Sequence, residues 1–408
     1  MTKRVVVTGM GIASPLGSTV DSAFDRLNIL KNCISNKNNL SEYQGLHTRL
    51  DARVCGFSVP SDFTRKTTRT MSDVSIMAVV TARDALKDAG LIDNPIISSG
   101  KTGVSYGSCS GSMDATIDFY YMCINKEVKN LNSGSYIRMM SHTAAVNISL
   151  FFKTHGRIIP TSTACTSGSM GIGYAYEAIK SGAQTVMIAG GSEEYCPSNI
   201  GVFDTLFATS VKNETPELTP SPFDKDRDGL VISEGAGTLI LEEYEHAKNR
   251  GAKIYAEIVG FGTNSDGTHI TNPNPETMAD VLKISLKSAN LSAKDIGYIN
   301  AHGTGTINGD IAESQATANV MGSNIPISTI KSYTGHTLGA CGAIEAILSI
   351  EMMNKNRFCP TLNLKNIDER CGNLDYIMGS PRKLETEFFM SNNFAFGGIN
   401  TSLIFKRV

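Results

Sequence analysis

Three residues stand where nucleophilic chemistry could be run. Cys165 lies in PTSTACTSGSMGIG, between an apolar run and what reads as a helix start. His302 lies in NAHGTGT, directly after an apolar strand pattern, and His336 lies in KSYTGHTLGACGAIEA, before a helix of small residues. Free cysteines are often simply buried, and the eight others of the nine in this chain are read that way. Cys165 differs in its setting. Thr166 and Ser167 are good cap residues, and the helix SGSMGIGYAYEAIKSG is expected to run to Gly182. A thiol at a helix start meets unpaired N–H groups and the positive end of the helix dipole, which favour the reactive thiolate. The expectation is a thiol pKa below the ordinary value. Gly168, Gly171 and Gly173 each cost that helix about 1 kcal/mol relative to Ala, so close packing must compensate. One histidine among seven would be unremarkable. Two in Gly/Thr-rich strand-to-helix turns, like the turn holding Cys165, predict a converging trio. A metal site is the rival reading, but neither histidine has HxxxH or HExxH spacing. The stretch SNNFAFGGIN, Ser391 to Asn400, reads either as a strand hairpin or as a loop whose backbone approaches a ligand.

Two other stretches imitate known motifs and fail on spacing. VVVTGMGIASPLG begins like a dinucleotide fingerprint, but Ser14 stands in place of the third glycine, and Pro15 and Gly17 precede any helix. It reads as a strand running into a loop. DKDRDGLVISEG places Asp224, Asp226, Asp228 and Gly229 like the start of a calcium loop. Its twelfth position, which should be the bidentate glutamate, is Gly235, and TPSPF precedes it where a helix should enter. Aspartates around Arg227, bracing a loop, are the better reading.

The elements that must position these residues alternate. RVVVTGM, KTGVSYGS, AQTVMIAGGSEE, AGTLILEE and IYAEIVGFGTNSDG read as strands, and MSDVSIMAVVTARDALKDAG as an amphipathic helix capped by Ser72 or Asp73 and stopped at Gly90. This alternation predicts an α/β fold with sheets covered by helices. GRIIPTSTACTSGSMGIGYAYEAIKSG is strand, reactive residue, helix, and IGYINAHGTGTINGDIAESQATANV is strand, His302, helix. Two halves built alike would turn their strand ends toward one site. The 408-residue length suits two domains or one large α/β unit. NETPELTPSPFD reads as a proline-rich surface loop, not a domain boundary. A net charge of −2 argues against nucleic acid as a partner. The absence of a CxxC pair argues against a zinc knuckle or disulfide framework. No stretch reaches the roughly 20 apolar residues of a membrane helix, so a soluble, cytoplasmic protein is expected.

TACTSG, NAHGTGT, KSYTGHTLGACGAIEA and NNFAFGGIN, with PFDKDRDGLVISEGAG, resemble the β-ketoacyl-acyl carrier protein synthases of the synthase I/II group. The resemblance spans nearly the whole chain. It implies a thiolase-type, five-layered α-β-α-β-α fold from two similar halves, residues 1–253 with the cysteine and 254–408 with both histidines. It implies a homodimer, although a heterodimer with a related subunit stays open. It requires no cofactor, although a structural monovalent cation is sometimes bound near the site. By the same resemblance Cys165 takes an acyl group from acyl carrier protein, with the N–H groups of Cys165 and Phe396 as oxyanion hole. His302 and His336 hold malonyl carrier protein for decarboxylative Claisen condensation. Lys331 and Glu345 lend electrostatic support. Thr304, Thr306 and Thr271 bind the phosphopantetheine arm, and Phe396 gates the acyl channel. Arg65, Lys66 and Arg69 either meet the acidic carrier protein or form a solvated basic edge. Two positions depart from the family pattern. Ala395 stands where a glycine is usual, which predicts an altered gate. Ser110 stands where a bulkier aliphatic residue limits the acyl pocket, which predicts an unusual acyl chain. Fatty-acid elongation is the leading reading, with a specialised polyene or polyketide pathway second. A chain-length-factor subunit would lack the cysteine, and a thiolase would carry a second cysteine motif that is not found here.

Overall fold

A computed structural model describes residues 2–129 and 131–408. Its strands are Val5–Ala13 (β1), Thr102–Gly107 (β2), Ile158–Thr161 (β3), Val186–Glu193 (β4), Gly235–Glu243 (β5), Ala256–Ser265 (β6), Ile296–Asn300 (β7), Pro326–Ser328 (β8), Arg357–Phe358 (β9), Asp375–Tyr376 (β10), Arg382–Lys383 (β11), Phe388–Ala395 (β12) and Ile399–Lys406 (β13). Two blocks repeat one pattern. β3, β2 and β4 run parallel, then β5 and β1 follow antiparallel. β8, β7 and β12 run parallel, then β13 and β6 follow antiparallel. The strand–turn–helix echo in the sequence is this repeat. The blocks join at one seam, where Val5–Val7 of β1 pair with 256–258 of β6, so the strands form one continuous 11-stranded sheet. β9 and β11 pair separately.

Helices complete the layers. The Asp73–Asp88 helix packs on β1 and β5, and the Thr143–Phe152 helix on β2 and β3. On the far side the Pro275–Ala289 helix packs on β6 and β13, with the Ile307–Met321 helix against it. Between the blocks lie the Ser167–Lys180 and Cys341–Asn354 helices, in contact with each other. The result is α-β-α-β-α. The Cys341–Asn354 helix is buried from Cys341 through Met353, as a central helix touched by both blocks must be. Glycine permits that crossing. A Cβ on Gly342 would lie 2.8 Å from Ser169 N and 2.6 Å from Asn393 Oδ1, and one on Gly168 would lie 2.9 Å from Gly339 O. Close packing of this kind offsets the helix cost of Gly168.

Some expectations are corrected. The proline-rich stretch is not all surface: Thr219, Ser221, Phe223 and Asp224 are buried, because Asn32, Asn363 and Asp310 reach in to bond its backbone. Most of the eight remaining cysteines are not deeply buried. Cys196, Cys341 and Cys359 are, but Cys55 and Cys123 are exposed. Arg227 does brace its loop, through the distant Asp368 at 2.7 Å and the carbonyls of Asp224 and Ile307, each at 2.8 Å. No helix among the described residues is long and apolar enough to cross a membrane.

Candidate active site

Cys165 and His302 sit just past the ends of strands, and His336 sits in the turn between two helices. β3 ends at Thr161, and Cys165 follows in a single 3-10 turn, Ala164–Thr166, that leads into the Ser167–Lys180 helix. Ala164 has φ +49, a left-handed conformation that few non-glycine residues adopt. It turns the chain so that Cys165 faces the junction between the blocks. β7 delivers His302, and the turn before the Cys341–Asn354 helix delivers His336. The trio converges as the turns predicted: Cys165 Sγ and one nitrogen of each histidine all lie within 4.8 Å of one another. His336 Nε2 is 3.0 Å from Cys165 Sγ, and the two imidazoles meet edge to face with centroids 5.2 Å apart.

The far nitrogens settle the tautomers. Lys331 Nζ lies 3.1 Å from His302 Nδ1, and the Leu338 N–H points at His336 Nδ1 at 3.3 Å. An ammonium and an amide N–H can only donate, so each Nδ1 accepts and each Nε2 carries the proton. Burial first, then the Lys331 charge, holds both histidines well below the ordinary imidazole pKa. Both are therefore neutral imidazoles with Nε2–H left to donate, and that of His336 meets the thiol.

The thiol corrects the helix-start argument. Cys165 is 4% exposed, and burial pushes its pKa up to about 11. The Lys331 charge and the backbone N–H groups of Phe396 and Cys165 pull it down, without overcoming desolvation. Those two N–H groups are the ones the sequence assigned to the oxyanion, and here they both act on Sγ.

Lys331 and Glu345 form a fully buried ion pair. Burial alone would lower the Lys331 pKa, but the Glu345 carboxylate outweighs it and keeps the lysine charged. Asn393, not singled out from the sequence, donates to Glu345 Oε2 at 2.8 Å and lies 3.3 Å from His302 Nδ1. Glu313, also missed, takes the N–H groups of His302 and Gly303 at 2.7 Å each. Burial raises its pKa to about 8. Asn393 lay inside the quoted NNFAFGGIN; Glu313 carried no local signal, since it acts through backbone.

A cleft of about 360 Å³ leads to the trio, lined by Thr304, Thr306, Thr271 and Phe396 among others. Thr304 and Thr306 hydroxyls are 3.0 Å apart, on a loop that Arg227 holds through the Thr306 carbonyl. Phe396 tops the β12–β13 hairpin, its ring 5.2 Å from Phe203, so SNNFAFGGIN is both hairpin and cleft wall. Gly397 and Gly398, at φ +89 and +73, make that turn. Ala395 is in no strained conformation and packs with Cys165 and Cys341. Ser110 does not line the cleft; its hydroxyl is buried without a partner. Arg65, Lys66 and Arg69 are exposed around a four-residue helix and do not line it either.

The sequence matches the family model for the beta-ketoacyl synthase N-terminal domain over residues 2–247 and that for the C-terminal domain over 255–365. The chain belongs to the β-ketoacyl synthase family. A crystal structure of a beta-ketoacyl synthase from Burkholderia phymatum STM815 is 55% identical, covers 100% of both chains and superposes with a TM-score of 0.98. The 3-oxoacyl-(acyl-carrier-protein) synthase 2 of Vibrio cholerae is 37% identical over 414 residues, 100% of this chain and 99% of that protein. A type II PKS ketosynthase, solved in complex with its acyl-carrier protein and bound to the hexaketide, is 31% identical with a TM-score of 0.89, covering 100% of both chains. This chain is an acyl-transferring condensing enzyme of the synthase I/II type.

Proposed function

We propose that this enzyme extends Cys165-bound acyl chains by decarboxylative Claisen condensation with malonyl carrier protein, in fatty-acid elongation. The observation that carries the reading is the pair of neutral imidazoles beside one buried thiol, both with Nδ1 occupied and Nε2–H left to donate. Cys165 attacks the acyl thioester carbonyl, and the carrier's thiol leaves. The Cys165 and Phe396 N–H groups take the oxyanion. Malonyl carrier protein then places its thioester carbonyl between His302 and His336. Their Nε2–H groups hold the oxygen as carbon dioxide leaves and the enolate forms. The enolate carbon attacks the acyl carbonyl, and Cys165 leaves as thiolate. Lys331 and Glu345, positioned by Asn393, fix the His302 tautomer. Thr304, Thr306 and Thr271 receive the pantetheine arm, and Phe396 closes on Phe203 as a gate.

No redox group or metal takes part in these steps, and the Lys331 ammonium disfavours a second cation among the trio. A structural monovalent cation fits elsewhere, at Asn300. Its Oδ1 is buried without a partner, its Nδ2 is 3.3 Å from Ser391 Oγ, and its side chain reaches Glu345. Asn300, Ser391 and Glu345 would hold it, and it would steady the Glu345 charge. The two halves are assigned to 1–253 and 254–408. Exposed apolar side chains at Ile117, Tyr120, Ile124 and Tyr136 support a homodimer, and a cytoplasmic setting completes the reading. Incubation with malonyl and acyl carrier proteins, read by mass, tests it. The expected result is an acyl adduct on Cys165 and a product two carbons longer. Unchanged turnover in Cys165→Ala would refute the scheme.

A further inference from the structure

One buried carboxyl takes no part in the proposed condensation steps. Glu193 ends β4 and is 0% exposed. Burial pushes its pKa up to about 7. The Cys109 thiol and the N–H groups of Cys109 and Gly339 pull it down, while the charge of Glu194 adds to the rise. No cation is among these main influences. A buried carboxyl without a cation is costly to keep, so its purpose lies in what it holds.

It holds two amides from two separate segments. Oε2 accepts the Cys109 N–H at 2.8 Å and the Gly339 N–H at 3.2 Å, and Ser108 Oγ lies 3.4 Å from Oε1. Cys109 belongs to the loop after β2. Gly339 lies in the 3-10 turn Leu338–Ala340, between His336 and the Cys341–Asn354 helix. That turn is strained: Leu338 has φ +47, a left-handed conformation that a bulky residue keeps only where its surroundings hold it. The Leu338 amide is also the one that points at His336 Nδ1, at 3.3 Å. Gly339 is gripped on both sides. Its N–H is on Glu193, and its carbonyl lies 2.9 Å from where a Gly168 Cβ would stand, against the Cys165 helix. A Cβ on Gly339 itself would meet Glu193 Oε2 at 2.8 Å and Cys109 N at 3.0 Å.

We propose that Glu193 is a positioning residue for the condensation: by tying Gly339 to the loop after β2, it keeps the Leu338 amide on His336 Nδ1 and the His336 Nε2–H on Cys165. Glu313 does the same for the other histidine, through the N–H groups of His302 and Gly303. Each histidine turn thus has its own buried carboxyl. The catalytic consequence rests on the proposed function, whereas the tie itself does not.

The test compares Glu193→Leu, which removes both acceptors at similar volume, with Glu193→Gln, which keeps an oxygen for the two amides. Both are made in the full chain and checked by melting. Amide hydrogen exchange of the peptides containing Cys109 and Gly339 is followed by mass, and malonyl carrier protein decarboxylation is measured for kcat and KM. In Glu193→Leu we expect exchange at Gly339 to quicken about tenfold or more. We expect kcat to fall about 10- to 100-fold with KM within about twofold. Glu193→Gln should recover most of both losses. A parental kcat in folded Glu193→Leu overturns the proposal, and so does a rise in KM at constant kcat. A folded Glu193→Gln as poor as Glu193→Leu also overturns it, because charge and not the tie would then matter. Where Glu193→Leu does not fold, Glu193→Asp draws the carboxylate back by one methylene, and parental exchange and kcat in that variant overturn the proposal. Quickened Gly339 exchange in Glu193→Leu, restored in Glu193→Gln, in an enzyme that decarboxylates nothing would sustain the tie and remove the proposed condensation.

Discussion

His336→Ala should make Cys165 a poorer nucleophile, and the size of the effect follows from the geometry. A thiol whose pKa is about 11 is ionised in about one molecule in a thousand at pH 8. Alkylation by iodoacetamide should then rise about tenfold per pH unit between pH 7 and 10, with no plateau. His336 Nε2–H donates to that sulfur at 3.0 Å. A hydrogen bond to a charged acceptor contributes about 1.5–3 kcal/mol, and one pKa unit corresponds to about 1.4 kcal/mol. The bond favours the thiolate. Removing it raises the thiol pKa by about one to two, which leaves less thiolate at every pH below it. Alkylation at pH 8 should therefore slow about 10- to 100-fold. The peptide containing Cys165 must be followed by mass, since Cys55 and Cys123 are exposed and will also react. His336→Gln, which keeps a donor, should recover most of the rate. Faster or unchanged alkylation in His336→Ala would mean that the imidazole accepts a proton from the thiol, and the tautomer argument would fall. A plateau near pH 8 in the parent enzyme would restore the helix-start expectation.

The other predictions concern the supports. Lys331→Met leaves the Glu345 carboxylate buried and unpaired, which should destabilise the protein by about 3–5 kcal/mol; Lys331→Met with Glu345→Leu should recover most of the melting temperature but not malonyl decarboxylation, since His302 Nδ1 still lacks its charged donor. Because the Lys331 pKa is raised above the ordinary lysine value, the pair's contribution should be fully present below the ordinary lysine pKa and be lost as pH rises from there through the raised value, read as a melting temperature that is flat from pH 7 to about 10 and then falls. His302→Ala should cost decarboxylation about 100- to 1000-fold while acyl transfer to Cys165 is largely kept; equal losses in the two half-reactions would reject the division of labour. Gly342→Ala should destabilise by about 1–3 kcal/mol, because its methyl would meet Ser169 and Asn393 inside 3.0 Å, and an unchanged melting temperature would show that the helix crossing yields.

The sequence carried what depends on local chemistry. Cys165, His302 and His336 were legible because each sits in a Gly/Thr-rich turn, and for Cys165 and His302 the strand–turn–helix unit repeats. The glycines of the Cys165 helix were legible as packing. Glu313 was not, because its contribution is a carboxylate on two backbone amides eleven and ten residues away, and any buried polar residue could have looked the same. Asn393 was quoted but not weighed, since its value lies in reaching Glu345 and His302 across the junction. The thiol's pKa was misjudged for a related reason. A helix start can be read from Thr166 and Ser167, whereas burial depends on both halves closing over Cys165. Ser110, which the family resemblance associates with the acyl pocket, is not among the residues that line the cleft.

Burial acts on the trio in one consistent sense. It raises the thiol's pKa and lowers those of both imidazoles, so all three are neutral at rest. Lys331 and Glu345 form a buried ion pair beside the site, and their charges largely cancel. Each negative charge the reaction must create, on the sulfur, the acyl oxygen and the enolate oxygen, arises next to N–H donors already in place. In a low-dielectric site such donors count for far more than in water. A resting enzyme with a preformed thiolate would react with any electrophile that entered the cleft. Here the thiolate is rare until a substrate fills the site, which confines the chemistry to thioesters long enough to reach it. The same desolvation that defeats the helix dipole at Cys165 is thus what makes the histidine donors effective, and the two cannot be tuned apart without opening the junction between the halves.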